Sequence, residues 1–242
     1  MNIPAYVFFD YGNTVVSEKT HDRLAGVTAL WDYVSYNPNM IQPELFANLL
    51  DEIDRKIGRY DINNPYDDRF EFHQCDIFRT LFESLRMQCS ITYAEMEYIY
   101  WKAACGGKPT DGLVELLDYL HNRGIKCAVV SNLTYDSVTL KRRLDDIIPN
   151  NHFEFCLASS DYIFRKPIDT FFNVALAKAN INACDAWFIG DVAPFDVDGA
   201  TSVGMKAFWY CSDLKNKEKP KSDDYIVLDS WKDLLKIITE ID

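Results

Sequence analysis

Residues 186–196 read AWFIGDVAPFD. The apolar run at the start of this stretch predicts a strand over residues 186–189, which ends at Gly190-Asp191. A helix is predicted after the turn, from about residue 197 to residue 203. A strand that ends at a polar turn and leads into a helix is the repeating unit of a parallel α/β sheet.

The same alternation continues outward from this unit, from residue 109 to the last residues of the sequence. The predicted strands cover residues 126–130, 154–158, 206–210 and 225–228, and the predicted helices cover residues 112–122, 135–147 and 169–179, with one more after residue 228. A further strand, residues 5–9, opens the sequence. Single helices between strands indicate right-handed crossovers and a parallel sheet, which binds ligands at the carboxyl ends of its strands. The predicted fold class is α/β, with a Rossmann-like parallel sheet.

Residues 18–105 have a different character, with helical periodicity and no predicted strand. Apolar residues recur about every four positions in two stretches, which is typical of amphipathic helices. The first comprises Ile41, Leu45, Leu49, Ile53 and Ile57, and the second Phe70, Ile77, Leu81 and Leu85. The polar stretch 61–68 separates two of these helices. We therefore expect a module of about four helices within the α/β pattern.

The composition narrows the classes of function. The chain has 242 residues, of which 48% are hydrophobic, and a formal net charge of −12. Nucleic acids and anionic membranes need basic surfaces, so neither is an expected partner. No apolar span approaches the ~20 residues of a membrane helix, and no basic region precedes the first apolar stretch as in a signal peptide. The scattered cysteines, 7 in number and without a CxxC pair, are expected to be reduced, and the predicted location is cytoplasmic.

Polar residues follow the ends of three predicted strands: Asp10, Ser131, and Asp191 with Asp196 shortly after it. Lys166 precedes a predicted helix. Taken singly, each residue has an ordinary explanation, because such an Asp is usually a turn or capping residue, Ser131 an N-cap and Lys166 a surface charge. In a parallel sheet, however, all of them lie at the same edge. Their order and spacing therefore favour one shared site.

This set resembles the four motifs of the haloacid dehalogenase (HAD) superfamily and extends over essentially the whole chain. The first motif, usually written DxDGT, corresponds to Asp10-Tyr11-Gly12-Asn13-Thr14, the second to Val130-Ser131-Asn132, the third to Lys166-Pro167 before Phe171-Phe172, and the fourth to Gly190-Asp191 with Asp196. Many members carry a cap domain where residues 18–105 lie here. The resemblance implies a HAD-like α/β core at residues 1–17 and 106–242, with the Asp10 strand central, and a helical cap domain at residues 18–105.

The resemblance also implies Mg²⁺-dependent hydrolysis of a small phosphorylated substrate. Asp10 would be the catalytic nucleophile that forms an aspartyl-phosphate, and Lys166 would balance charge in the transition state. Four residues would hold Mg²⁺, which prefers oxygen ligands: Asp10, Gly12 through its carbonyl, Asp191 and Asp196. Three residues would bind the phosphoryl group: Ser131, Asn132 and Lys166. Nothing in the sequence indicates the physiological substrate or the oligomeric state.

The first motif departs from the family pattern at Gly12. In hydrolytic relatives an Asp at this place protonates the leaving group, a role worth about 100- to 10,000-fold in rate. Asn13 stands where a Gly is usual and tolerates the left-handed backbone conformation. Two explanations keep the phosphatase hypothesis: a leaving group that needs little protonation, such as an acyl phosphate, or a proton donor in the cap, for which His73 and Lys56 are candidates.

Other functions also remain open. Phosphonate-cleaving relatives lack the same Asp and use a cap lysine, for which Lys56 and Lys102 are candidates. Dehalogenating relatives carry Tyr at the place of Gly12, and the acidic pair Asp191 and Asp196 argues against that function. The last alternative is a regulatory protein that binds a phosphorylated metabolite without turnover.

Further polar residues of the helical stretch have simpler interpretations. Three arginines are expected on a solvated face: Arg55, Arg59 and Arg69. The spacing of His73 between Phe70 and Ile77 favours a partly buried packing residue. Gly106-Gly107-Lys108 lacks a Walker pattern and is interpreted as a hinge between cap and core.

Overall fold

The computed structural model of the chain describes residues 2–58, 69–211 and 218–241. The strands in these ranges are β1 (Tyr6–Phe9), β2 (Val16–Glu18), β3 (Val34–Tyr36), β4 (Gln88–Cys89), β5 (Gly107–Pro109), β6 (Lys126–Ser131), β7 (Phe153–Ala158), β8 (Ala186–Gly190), β9 (Lys206–Tyr210) and β10 (Tyr225–Leu228). The α-helices are α1 (Arg23–Trp31), α2 (Pro43–Ile57), α3 (Gln74–Ser84), α4 (Tyr93–Ala104), α5 (Leu113–Asn122), α6 (Ser137–Ile147), α7 (Asp169–Ala179), α8 (Ala193–Ser202) and α9 (Trp231–Ile241).

Six strands form a parallel sheet in the order β10-β9-β8-β1-β6-β7. The predicted α/β fold class is therefore confirmed, and β1 lies in the interior of the sheet as expected. Phe9, the last residue of β1, is in register with Val129 of β6 and Ile189 of β8. The chain thus leaves these three central strands at nearly the same height, at the carboxyl edge of the sheet.

Both faces of the sheet are covered by helices. Successive side chains of a strand point to opposite faces, and in β1 they enter different core clusters: Val7 and Phe9 pack in one, Tyr6 and Phe8 in the other. The first cluster contains apolar residues of α5, α6 and α9, and the second contains those of α7 and α8. Burial on both faces explains why the strand reads as a continuous apolar run.

The helical stretch contains α1, α2, α3 and α4, but also a strand pair that the sequence did not predict. β3 and β4 pair antiparallel between these helices, so the expectation of no strand in residues 18–105 was wrong. The apolar repeat in α2 also misidentified the buried face. Leu45 is 47% exposed, whereas Phe46, Ala47 and Leu50 are buried.

The second apolar repeat likewise extends beyond its helix. α3 begins at Gln74, and His73 is its N-cap residue, with Nδ1 accepting a hydrogen bond from the backbone N–H of Cys75 at 3.1 Å. His73 is partly buried, as predicted, but it caps α3, and Phe70 lies outside this helix. The polar stretch 61–68 and Arg59 lie outside the described residues.

Two antiparallel strands connect the helical stretch to the sheet. β2 leads into the stretch, and β5 returns from it beside β2, with Ser17 opposite Lys108. Gly107, part of the predicted hinge, therefore belongs to a strand pair, and a Cβ atom there would lie 2.6 Å from Val16 Cγ1. Within the described ranges, none of the helices has the length and apolar character needed to cross a membrane.

Candidate active site

Side chains from four separate segments meet at the carboxyl edge of the sheet. Lys166 Nζ donates hydrogen bonds to Asp10 Oδ1 and to Asp196 Oδ1, both at 2.6 Å. Ser131 Oγ donates to the same Asp10 oxygen at 3.0 Å. Asp10, Ser131, Lys166 and Asp196 are all buried. The structure thus brings together residues that are far apart in the sequence.

The strands and the turn after β8 account for this convergence. Asp10 follows β1, Ser131 is the last residue of β6, and Asp191 follows β8. Asp196 lies in the first turn of α8, which begins at Ala193 and not near residue 197 as predicted. Its Oδ2 accepts a hydrogen bond from the backbone N–H of Val192 at 2.9 Å, which fixes the carboxylate over the turn.

Gly190 is required by this close packing. A Cβ atom at position 190 would lie 2.2 Å from Asp196 Cγ, which is far inside van der Waals contact. Trp209 donates its indole N–H to the backbone oxygen of Asp191 at 3.0 Å and so fixes the other side of the turn. A side chain at position 190 would therefore displace the acidic group.

Three carboxylates form a compact acidic cluster here. One oxygen each of Asp10, Asp191 and Asp196 lies within 4.8 Å of the others, and all three residues are buried. Hard carboxylate oxygens are the ligands that Mg²⁺ prefers, so the donor set fits this ion. Buried carboxylates at this separation repel each other unless a cation lies among them.

The charge of each group in the cluster affects the ionisation of the others. Burial raises the pKa of Asp196, and the Lys166 ammonium opposes this shift only in part. Burial alone would lower the pKa of Lys166, but Asp10 and Asp196 outweigh it and raise the pKa above its usual range. The lysine is therefore held as a cation between two acidic groups.

Asn132 fixes the position of Lys166. Its side-chain amide donates to the Lys166 backbone oxygen at 2.9 Å, and its Oδ1 accepts from the Lys166 backbone N–H at 2.8 Å. The observed contacts of Asn132 are thus with the lysine loop, and its predicted contact with substrate stays a prediction.

The loop after Asp10 has room at Gly12. A Cβ atom at that position would meet nothing within 4 Å. Asn13 adopts a left-handed conformation with φ of 54°, as the substitution of the usual Gly suggested. Thr14 Oγ1 is buried and has no hydrogen-bond partner among the described residues.

The candidate residues of the helical stretch contact other groups or lie on the surface. His73 Nδ1 is 3.4 Å from Glu97 Oε2, and Lys102 Nζ is 2.9 Å from Asp146 Oδ2 on α6. Lys56 and Arg55 are exposed on α2, as expected for Arg55. Arg69 lies over the ring of its neighbour Phe70, with 5.7 Å from Cζ to the ring centroid.

One buried network beside the nucleophile loop was missed from the sequence. Arg143 of α6 donates to the Tyr11 hydroxyl at 2.6 Å and to Glu18 Oε1 at 3.1 Å. Its guanidinium also lies over the Trp101 ring, 4.4 Å from the centroid. The sequence signal was the spacing of Arg143, three residues after Leu140, which places a basic residue on the apolar face of the predicted helix.

The parallel α/β sheet and the acidic cluster at its carboxyl edge agree with the family to which the sequence is assigned. The chain belongs to the haloacid dehalogenase-like hydrolase family, whose model matches residues 44–210. The match begins after the atypical first motif at Asp10.

Individual relatives are distant. Haloacid dehalogenase-like hydrolase domain-containing protein 3 of Bos taurus is 33% identical over 119 residues, which cover 48% of this chain and 45% of that protein. The chain thus spans less than half the length of the first curated relatives it matches. A glyceraldehyde 3-phosphate phosphatase of Methanothermobacter thermautotrophicus is 24% identical over 241 residues, with 96% of this chain and 98% of that protein covered. The 2-haloacid dehalogenase of Pseudomonas syringae has a similar fold, with a TM-score of 0.66, 19% identity and 100% coverage of both chains.

Proposed function

We propose that this protein is a Mg²⁺-dependent phosphatase that hydrolyses a small phosphorylated metabolite through an aspartyl-phosphate at Asp10. The observation that carries the proposal is the contact of one buried lysine with two of three clustered carboxylates. A relative that aligns with 96% of the chain is named as a phosphatase, which supports the same reaction class.

In this proposal the chain's own residues have distinct roles. An Asp10 oxygen attacks phosphorus, and the bond from phosphorus to the ester oxygen breaks. The ester oxygen leaves with the electron pair of that bond and takes a proton from solvent or another residue to give the alcohol. Water then attacks the aspartyl-phosphate, which releases inorganic phosphate and restores the Asp10 carboxylate. The Ser131 hydroxyl and the Lys166 ammonium contact the phosphoryl oxygens and neutralise their charge.

Asp10, Asp191 and Asp196, with the Gly12 carbonyl, are the proposed Mg²⁺ ligands. The ion supplies charge neutralisation for the phosphoryl oxygens when it is bound. We also propose that residues 18–105 are a cap domain and that residues 1–17 and 106–242 are the core. The paired strands β2 and β5, where the chain crosses between the two parts, support this division.

Gly12 favours a second candidate function. With no carboxyl group at this position, the leaving oxygen must take its proton from solvent or from another residue. A protein without that donor can bind a phosphorylated ligand and release it unchanged. Dehalogenation is less favoured, because the cluster of three carboxylates is the arrangement expected for phosphate chemistry.

Phosphate release tests the proposal. Acetyl phosphate, p-nitrophenyl phosphate and glyceraldehyde 3-phosphate are incubated with the protein in Mg²⁺ or in EDTA. We expect release only with Mg²⁺, and a loss of at least about 1,000-fold in Asp10→Asn, as for removal of other catalytic nucleophiles. Asp111→Asn is the matched control, because its side chain is 94% exposed and lies outside the cluster.

Two results would contradict the proposal. Wild-type activity in Asp10→Asn would exclude this nucleophile. Thermal stabilisation by phosphate esters without any phosphate release would favour the binding protein instead.

A further inference from the structure

A cavity of about 490 Å³ has Asn132, the residue after Ser131, in its wall. It lies between the helical stretch and the loop after β6, and Asn132 in its wall is the residue that holds Lys166. The backbone N–H of Gln74 donates to the Thr134 oxygen at 2.8 Å and joins α3 to this loop. The cavity therefore lies at the carboxyl end of β6, the edge at which parallel α/β sheets bind ligands.

The charged groups of the cavity wall leave an excess of negative charge. Arg23 Nε is 2.9 Å from Asp51 Oδ1, and its NH2 atom is 2.6 Å from Asp54 Oδ2. One guanidinium is thus shared by two carboxylates. With His21 neutral, these are the charged groups among the described lining residues, and together they carry one net negative charge. An anionic group of a ligand would be repelled by these carboxylates, because the Arg23 guanidinium is already paired with both of them.

The other polar groups of the wall are uncharged. They include Thr134, Tyr100 and Tyr135, whose side chains carry hydroxyl groups, and Asn132. Tyr135 is held by stacking on Trp101, with 4.2 Å between ring centroids. Hydroxyl groups both donate and accept hydrogen bonds, so this lining matches the hydroxyls of an alcohol or sugar.

We propose that this cavity binds the alcohol part of a phosphomonoester and selects an uncharged, hydroxyl-bearing alcohol over one with a second anionic group. This inference rests on the proposed phosphatase function. It assigns selectivity to Arg23, Asp51 and Asp54, which lie on α1 and α2 and not in the sheet.

A matched pair of substrates tests the selectivity. Glycerol 3-phosphate and 3-phosphoglycerate have the same carbon chain and differ by a terminal hydroxymethyl or carboxylate group. The measured quantity is the ratio of their kcat/KM values, and we expect the wild type to favour glycerol 3-phosphate by at least about tenfold. Asp51 is suited to substitution because its side chain is 54% exposed.

Substitution of Asp51 should shift this ratio stepwise. We expect Asp51→Asn to lower it by about three- to tenfold, and Asp51→Lys to lower it further, because each removes repulsion of the carboxylate. Glu52→Gln and Glu52→Lys make the same charge changes one residue along α2, at an exposed position outside the cavity wall. These controls should leave the ratio within about twofold of the wild type.

Binding separates this inference from the catalytic proposal. Calorimetry on the Asp10→Asn variant with Mg²⁺ compares the same two esters without turnover. A preference for glycerol 3-phosphate that falls in Asp51→Lys supports the inference, even when the wild type releases no phosphate. The inference would be overturned by equal affinity for both esters, by a preference for 3-phosphoglycerate or by binding of neither ester. An equal effect of the Glu52 variants would also overturn it. Phosphate release from both esters at equal rates would leave the catalytic proposal intact.

Discussion

Gly12 is the residue at which this chain differs most from the motif it resembles. It lies two positions after the proposed nucleophile, in a loop whose left-handed turn is preserved by Asn13. The space around its Cα is open, and its own φ is not in the left-handed region. The loop can therefore accept a side chain at this position, so steric crowding does not explain the absence of a carboxyl group.

We expect Gly12→Asp to fold normally and to raise the turnover of alkyl phosphates. A positioned acid contributes about 100- to 10,000-fold when the leaving group is a poor one. The gain should be much smaller for p-nitrophenyl phosphate and acetyl phosphate, whose leaving groups need little protonation. Steady-state kinetics with an alkyl and an aryl phosphate measure this difference.

Gly12→Asn is the control for that experiment, because it adds a side chain of the same shape without an acidic proton. Equal gains in the Asp and Asn variants would show that the new side chain does not act as an acid. No gain in either would mean that another group already protonates the leaving oxygen.

At the scale of elements, α4 carries a buried carboxylate that the proposed reaction does not use. Glu97 is 0% exposed, accepts a hydrogen bond from the backbone N–H of Asp136 at 2.5 Å and one from Cys75 Sγ at 3.0 Å. Burial raises its pKa from 4.5 to about 8, although both hydrogen bonds favour the charged form. His73, with Nδ1 at 3.4 Å from Oε2, is the basic group beside it.

This shift predicts a pH-dependent stability. The folded state holds the Glu97 proton more tightly than the unfolded state does. The contribution of this proton to the free energy of unfolding is therefore complete below about pH 4.5 and is lost as the pH rises to about 8. The slope is at most about 1.4 kcal/mol per pH unit. Glu97→Gln keeps the acceptor for Asp136 and should remove this loss, which denaturant unfolding at pH 5.5 and pH 8 measures.

Glu83→Gln, at an exposed position of α3, is the matched control and should leave the pH dependence unchanged. A Glu97→Gln variant whose stability falls with pH as steeply as that of the wild type would contradict a buried, protonated Glu97.

The strands of the parallel sheet and the helices that cover it were predictable from the sequence, and the elements of the helical stretch were less so. The predicted bounds 169–179 and 206–210 agree with α7 and β9, because each element lies between clear turn residues. β3 and β4 contain three and two residues, too few for an alternating pattern. The start of α8 was marked by Pro194 in its first turn, a common helix-start signal that the apolar periodicity did not show.

The candidate site divides in the same way. Asp10, Ser131 and Asp191 could be grouped from the sequence because each follows or ends a parallel strand, and the strand order then brings them together. The cavity at the loop after β6 could not be predicted, because Arg23 and Asp51 belong to two helices whose packing no local pattern specifies. Apolar periodicity locates a helix but does not identify the helix on which it packs.

For the whole molecule, we expect the stability of the folded state to depend mainly on the proposed Mg²⁺ ion. The chain carries a formal net charge of −12, and three of its carboxylates are clustered and buried. An ion that binds only the folded state stabilises it by mass action, by about 2.7 kcal/mol at a concentration of one hundred times its Kd. The cluster should therefore make the melting temperature depend on Mg²⁺.

We expect Mg²⁺ to raise the Tm of the wild type by several degrees over its value in EDTA. Asp191→Asn should lose this shift, because it removes one of the three clustered carboxylates that are proposed to hold the ion. Differential scanning fluorimetry at constant ionic strength measures the shift in both proteins. A full Mg²⁺ shift in Asp191→Asn would exclude this carboxylate as a ligand, and Asp111→Asn again serves as control.

The first strand of the chain lies in the middle of the sheet, and this has a consequence for biosynthesis. β1 has β6 and β8 as its neighbours, so it leaves the ribosome long before either partner strand exists. Ser131 and Lys166 reach Asp10 across separations of 121 and 156 residues. Closing such long loops is slow compared with local helix formation. During refolding from urea, enzymatic activity should therefore return last, because the proposed active site forms only when the whole chain has folded.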